Sequence, residues 1–223
     1  MYEQVKIKHL THYYYDRPIT LGPQSIRLNP SRYYPIEIND FSIDINPKPV
    51  SLEWFNDVYN NSIASAVFSQ STMELHINVS LSAKLRPLNI INFELPYIYQ
   101  KYPFFYPSNE RKEILTFLGN PEPTLLFEEF VNSIQTYNKP TIELIADINK
   151  QVNRHLTYIK RKEPGIYSPE ETLRLKSGSC RDFAWLLVNI FRKLGIASRF
   201  VSGYSIILDE VDLHAWCEVY LPN

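Results

Sequence analysis

The sequence predicts an α+β chain: an antiparallel β-sandwich first, then a half built from helices and closing strands. Three patterns point to this. Apolar and polar residues alternate with a period of two through the first half. From about Glu122 the apolar spacing becomes helical. After one last, strongly apolar helix, two further alternating segments follow. The 223 residues suffice for two domains with real cores, placed at 1–114 and 115–223.

The clearest strand runs from Met73 to Leu85. Met73, Leu75, Ile77, Val79, Leu81, Ala83 and Leu85 form one face, and Glu74, His76, Asn78, Ser80, Ser82 and Lys84 form the other. Phe41, Ile43 and Ile45 alternate in the same way until Pro47 and Pro49 stop the strand. Strands are also expected at Val5–Tyr15, Ser25–Leu28, Val50–Trp54 and Ile63–Phe68. Turn signals such as Leu21-Gly22-Pro23 and Asn60-Asn61 separate them. Short half-buried strands at this spacing imply a sandwich.

Pro87 to Pro107 is rich in Pro and Tyr and reads as a crossing between domains. Four helices follow. The first holds Leu125, Phe127, Phe130, Val131 and Ile134, and the second runs from Ile142 to Leu156. A short third starts at Ser168-Pro169-Glu170-Glu171, with Pro in its first turn, and continues to about Leu175. The fourth runs from Cys180 to Leu194, with Gly195 as its stop. Strands are expected at Arg199–Ile207 and Leu213–Leu221.

Net charge is −1, with 23 Lys+Arg against 24 Asp+Glu, so the basic surface of a nucleic-acid binder is missing. No apolar run reaches the length of a membrane span. Two cysteines make no disulfide framework, and the N-terminus lacks an apolar leader core. The expectation is a cytoplasmic chain with no membrane or nucleic-acid partner, although a chain stripped of a leader would read the same.

Two residues invite chemistry. Ser179 can cap the fourth helix, and Asp182 stands where the reciprocal partner of a capping box belongs. Cys180 is then the first residue of that helix, where unpaired N–H groups and the positive dipole end favour a thiolate. The competing reading is a buried structural thiol. His214 lies on the last strand with Trp216, Glu218 and Tyr220. The opposite face carries Leu213, Ala215, Cys217, Val219 and Leu221. His214 is either a base in a cleft wall or an ordinary histidine. Cys217 reads as a small buried hydrophobe, which argues against a zinc site made of Cys180, His214 and Cys217. His9 and His12, three apart on a strand, make a poor metal pair. His76 sits on a wet face, and His155 ends a helix where positive charge suits the dipole. No metal or cofactor is expected.

The residues Ser168-Pro169-Glu170-Glu171-Thr172-Leu173, Ser177-Gly178-Ser179-Cys180-Arg181-Asp182-Phe183-Ala184 and His214-Ala215-Trp216-Cys217-Glu218-Val219-Tyr220-Leu221-Pro222 together resemble the bacterial transglutaminase-like family. His9-Leu10-Thr11-His12-Tyr13-Tyr14-Tyr15, Ile26-Arg27-Leu28-Asn29-Pro30 and Asp57-Val58-Tyr59-Asn60-Asn61 resemble its N-terminal β domain, with Asn60 where Gly is usual. The resemblance implies a papain-like core and a Cys-His-Asp triad, with Cys180 as nucleophile and His214 as general base. It implies acyl chemistry on a protein or peptide substrate through a thioester. Hydrolysis, acyl transfer to an amine and a non-catalytic binding scaffold all remain open. The family's Asp follows the His strand in a stretch not present before Asn223, so a truncated chain of weak or no activity is expected. Asp212 lies about 6–7 Å from His214 along the strand and Glu218 about 13 Å, both poorly placed to orient it.

Overall fold

The computed structural model describes residues 3–31, 36–85, 95–119, 121–205 and 212–222, with only the backbone at Asp212. Two compact units divide it, Met1–Phe93 and Glu94–Asn223.

Among the described residues the first unit holds six strands: β1 (Glu3–Thr20), β2 (Gln24–Asn29), β3 (Ile36–Asn46), β4 (Ser51–Asn56), β5 (Ser62–Val67) and β6 (Ser71–Leu85). They form two antiparallel three-stranded sheets, in the orders β1-β6-β3 and β2-β5-β4. The two central strands carry the most buried residues, and on β6 these alternate with a polar outward face. On β6, Leu75, Ile77, Val79, Leu81 and Ala83 are buried, while β5 contributes Ile63, Ala64 and Ala66. Ile26, Ile45, Ala64, Ala66, Leu75 and Ile77 share one core drawn from both sheets, which makes the unit a sandwich. Met73 departs from the expected inward face. It lies near the start of β6 and is exposed.

The turn after β4 is built by Asp57. Its Oδ1 accepts the N–H groups of Tyr59 and Asn61, both at 2.9 Å, and its Oδ2 accepts the Asn61 side-chain amide at 2.9 Å. The Asn61 side-chain bond leads the causes that hold the Asp57 carboxyl below its ordinary range. Asn60 takes φ 62°, the left-handed region that Asn tolerates better than most residues.

The second unit contains α1 (Ser108–Glu113), α2 (Leu115–Leu118), α3 (Leu125–Asn132), α4 (Thr141–His155), α5 (Pro169–Leu175) and α6 (Cys180–Lys193). It also contains a parallel two-residue pair, β7 (Thr157–Tyr158) with β8 (Ser177–Gly178). An antiparallel pair closes it, β9 (Ser198–Ser205) with β10 (Asp212–Val219). The expected end of β9 at Ile207 lies outside the described residues. The α+β class is therefore observed. The four longer helices fall where the apolar spacing places them, whereas α1 and α2 are too short to leave a periodic signal. Among the described residues no helix is long and apolar enough to cross a membrane.

α6 is the central rod: Leu186, Val188 and Ile190 are fully buried, and the helix packs on β9 and β10. Its end is a Schellman motif. Ile196 N–H reaches Phe191 O at 2.8 Å, Gly195 N–H reaches Arg192 O at 3.0 Å, and Gly195 takes φ 74°. Leu95, Tyr99, Phe104 and Tyr106 belong to this same core, so the second unit takes in residues ahead of the expected start at 115. Tyr106 ties that segment in. Its hydroxyl accepts Ala197 N–H at 2.9 Å and donates to Tyr220 O at 2.8 Å, and burial pushes its pKa up to about 12.

Candidate active site at the start of the buried helix

The first turn of α6 is fastened by one carboxylate. Asp182, third in the helix, is completely buried. Its Oδ2 accepts the Ser179 N–H and hydroxyl, both at 2.8 Å, which is the reach-back expected of a capping-box acid. Arg161 grips both oxygens, Nη2 to Oδ1 at 2.9 Å and Nε to Oδ2 at 3.1 Å, and Tyr167 N–H adds a bond to Oδ1 at 2.9 Å. Burial alone would raise the Asp182 pKa. The bonds from Arg161, Tyr167 and Ser179 outweigh it and hold the group at about 2.

The segment 159–167 is strapped to the helix start by the same groups. The Arg161 guanidinium lies 3.8 Å from the Tyr167 ring centroid and donates to Gly165 O at 2.9 Å. Arg181 donates to the carbonyls of Arg161 and Glu163, both at 3.1 Å. Gly178 permits the approach, because a Cβ there would sit 2.8 Å from Asp182 Cβ. The result is a rigid seat for Cys180, the first helical residue, whose thiol is free and half-buried. Asp182 was legible in the sequence as a cap partner. Arg161 was not, because it lies 21 residues away in the chain.

Upstream, Ser168 caps α5 by accepting Glu171 N–H at 3.1 Å, with Pro169 at the first helical position as expected. Glu170 bonds the start of α3 through Phe127 N–H at 3.1 Å.

His214 stands on β10 directly across from Gly203 on β9, and is half-buried. Trp216, on the same face, fills the space that the glycine leaves. A Cβ on Gly203 would meet its ring at 2.7 Å. Glu218 is engaged elsewhere: Arg199 holds Oε2 at 2.7 and 2.9 Å, and Trp216 Nε1 donates to Oε1 at 3.2 Å. Ala215, Cys217 and Val219 lie on the other face, where Cys217 and Val219 pack against the core that contains α6. Burial pushes the Cys217 thiol up to about 12, which makes it an inert protonated hydrophobe. Cys217 and His214 therefore point to opposite sides of one strand, as the alternation predicts.

The packing of α6 on β9 and β10 brings the Cys180 helix and the His214 strand into one unit. Among the described residues no hydrogen bond joins the thiol to the imidazole. The Asp212 side chain lies outside the described residues. A cleft of about 380 Å³ runs along α6 past Trp185, Asn189 and Arg192, and neither Cys180 nor His214 lines it.

Residues 5–84 match the bacterial transglutaminase-like N-terminal region, and residues 128–223 match the transglutaminase-like superfamily. The chain belongs to the bacterial transglutaminase-like family. This transglutaminase-like chain is 26% identical over 132 residues to uncharacterized proteins of Mycobacterium bovis and Mycobacterium tuberculosis. The match takes in 54% of the chain and 41% of each relative, so it spans about two-fifths of their length. Its fold is similar to that of a candidate cysteine protease from Cytophaga hutchinsonii, with TM-score 0.72 and 17% identity over 99% of this chain and 75% of that one. A more distant likeness, TM-score 0.44 and 16% identity over 78% of this chain and 63% of that one, is to the periplasmic domain of TgpA from Pseudomonas aeruginosa. The cytoplasmic expectation is withdrawn, because two unpaired thiols and a polar N-terminus do not fix the compartment.

Proposed function

We propose that this chain carries the centre of a cysteine-dependent amide hydrolase acting on a protein or peptide. The carrying observation is the seat of Cys180: a half-buried thiol on the first residue of a buried helix whose entry is locked by Asp182 and Arg161. Cys180 stands at the positive end of the α6 dipole, as the first residue of that helix. Cys180 Sγ attacks the substrate carbonyl and His214 takes the thiol proton. The amine leaves carrying that proton, a thioester forms, and water activated by His214 releases the acid. In this reading the Cys180 N–H donates to the oxyanion. Membership of the transglutaminase-like family supports the same pair.

Acyl transfer to an amine is the second reading, because it shares the thioester, and a non-catalytic binding scaffold is the third. Incubation with a peptide library, with and without a primary amine, separates them. Cleavage abolished by Cys180→Ala and by His214→Ala supports hydrolysis. Amine incorporation at glutamine supports transfer. Turnover untouched by Cys180→Ala removes both enzymatic readings.

A further inference from the structure

His12 on the edge strand β1 and His76 on the central strand β6 are register partners, directly opposite one another in the β1-β6-β3 sheet. Glu74 stands two residues before His76, so the pleat puts it on the same outward face. Its Oε2 lies 3.4 Å from His12 Nε2 and 3.2 Å from His76 Nε2. One ligand atom from each of the three residues falls within 4.8 Å of the others.

We propose that His12, Glu74 and His76 form a binding site for a divalent transition metal of the zinc class. Zinc bonds to imidazole nitrogen and carboxylate oxygen are about 2.0–2.2 Å long, so tetrahedral ligand atoms stand about 3.4 Å apart. Both observed nitrogen–oxygen separations meet that spacing. Two imidazoles and one carboxylate with outside positions left to water is a known zinc ligand set, and imidazole suits zinc, copper and nickel better than calcium or magnesium. The two rings are stacked, with centroids 3.8 Å apart and 23° between planes. They must splay about the soft Cβ–Cγ torsion to aim both lone pairs at one ion. The site has room for that, because the His12 and His76 side chains are 41% and 27% exposed. The edge of the Tyr14 ring meets His12 at 6.3 Å and walls one side.

The site lies in the first unit and is independent of Cys180. The test is zinc titration of the chelator-stripped full chain by calorimetry, repeated with cobalt(II) followed by visible absorption. The expected result is one equivalent bound with Kd below about 10 µM, and a cobalt spectrum without thiolate charge-transfer bands. His76→Gln, His12→Gln and Glu74→Gln should each weaken binding at least about tenfold, while Cys180→Ala leaves it unchanged. All three substitutions fall on the outer face of the sheet, and circular dichroism checks that each variant is folded. Less than one equivalent, affinity indifferent to all three substitutions, or loss of binding in Cys180→Ala would overturn the site.

Discussion

Arg161 and Asp182 form a two-pronged ion pair with side-chain exposures of 4% and 0%. The pair joins the 159–167 strap to the first turn of α6. Removing one partner strands the other charge in the interior. Arg161→Ala should therefore destabilise the second unit by roughly 3–5 kcal/mol, read by urea unfolding. Arg161→Lys should recover only part of this, because a single ammonium cannot span both oxygens. Equal stability for Arg161→Ala and the parent would show that the pair is mechanically idle.

The same carboxylate sets an acid limit. Its folded pKa, about 2, lies below the ordinary value of 3.8. Its stabilisation is therefore complete above the unfolded value and is lost as the pH falls through about 4 towards 2, worth roughly 2 kcal/mol. Asp182→Asn should unfold more easily at neutral pH and lose less on acidification between those limits. Parallel pH–stability curves for the two proteins would contradict the assignment.

The two thiols should behave differently. Iodoacetamide at mildly acidic pH should modify a single cysteine, traced by intact mass and peptide mapping to Cys180, while Cys217 stays protected until unfolding. Cys180→Ala should abolish the fast reaction and Cys217→Val should preserve it. Labelling no faster than that of a small free thiol would remove the case for an activated nucleophile.

Gly203 and Trp216 give a packing test. Gly203→Ala places a methyl 2.7 Å from the indole, which must then swing away beside His214. A loss of about 1–3 kcal/mol is expected, with Trp fluorescence shifted to the red. Unchanged fluorescence and stability would mean that the ring does not rest on the glycine.

Tyr106→Phe removes a hydroxyl that satisfies Ala197 N–H and Tyr220 O. Leaving these groups unpaired should cost about 1–3 kcal/mol, measured by thermal unfolding, with wild-type far-UV dichroism. A neutral substitution would show that water replaces the hydroxyl.

Local patterns made much of this molecule readable. The alternation at Leu75–Ala83 marks β6, and the Ser168-Pro169 and Ser179/Asp182 pairs mark two helix starts. Gly195 marks one helix end, and the Leu213–Val219 alternation separates Cys217 from His214. Features set by distant partners left no such mark. Leu95 to Tyr106 looks like a Pro-punctuated crossing because its aromatics, although Phe104 packs edge to face on Tyr99 and Tyr106, follow no repeating spacing and join a core supplied by helices far along the chain. Arg161 is one cation among many until the fold sets it against Asp182. His12 and His76 are 64 residues apart, and neither marks a metal site by itself; strand register puts them face to face. Thiol count and the first few residues report weakly on where a domain works.

The bonds of Tyr106 also bear on the order of events during synthesis. Its hydroxyl waits for partners 91 and 114 positions downstream. A nascent chain therefore cannot finish this core until β10 and the residues just after it have left the ribosome. Closure of so long a loop is slow. Until then the aromatic segment at 95–106 is exposed and adhesive, so the second unit should depend on holding chaperones.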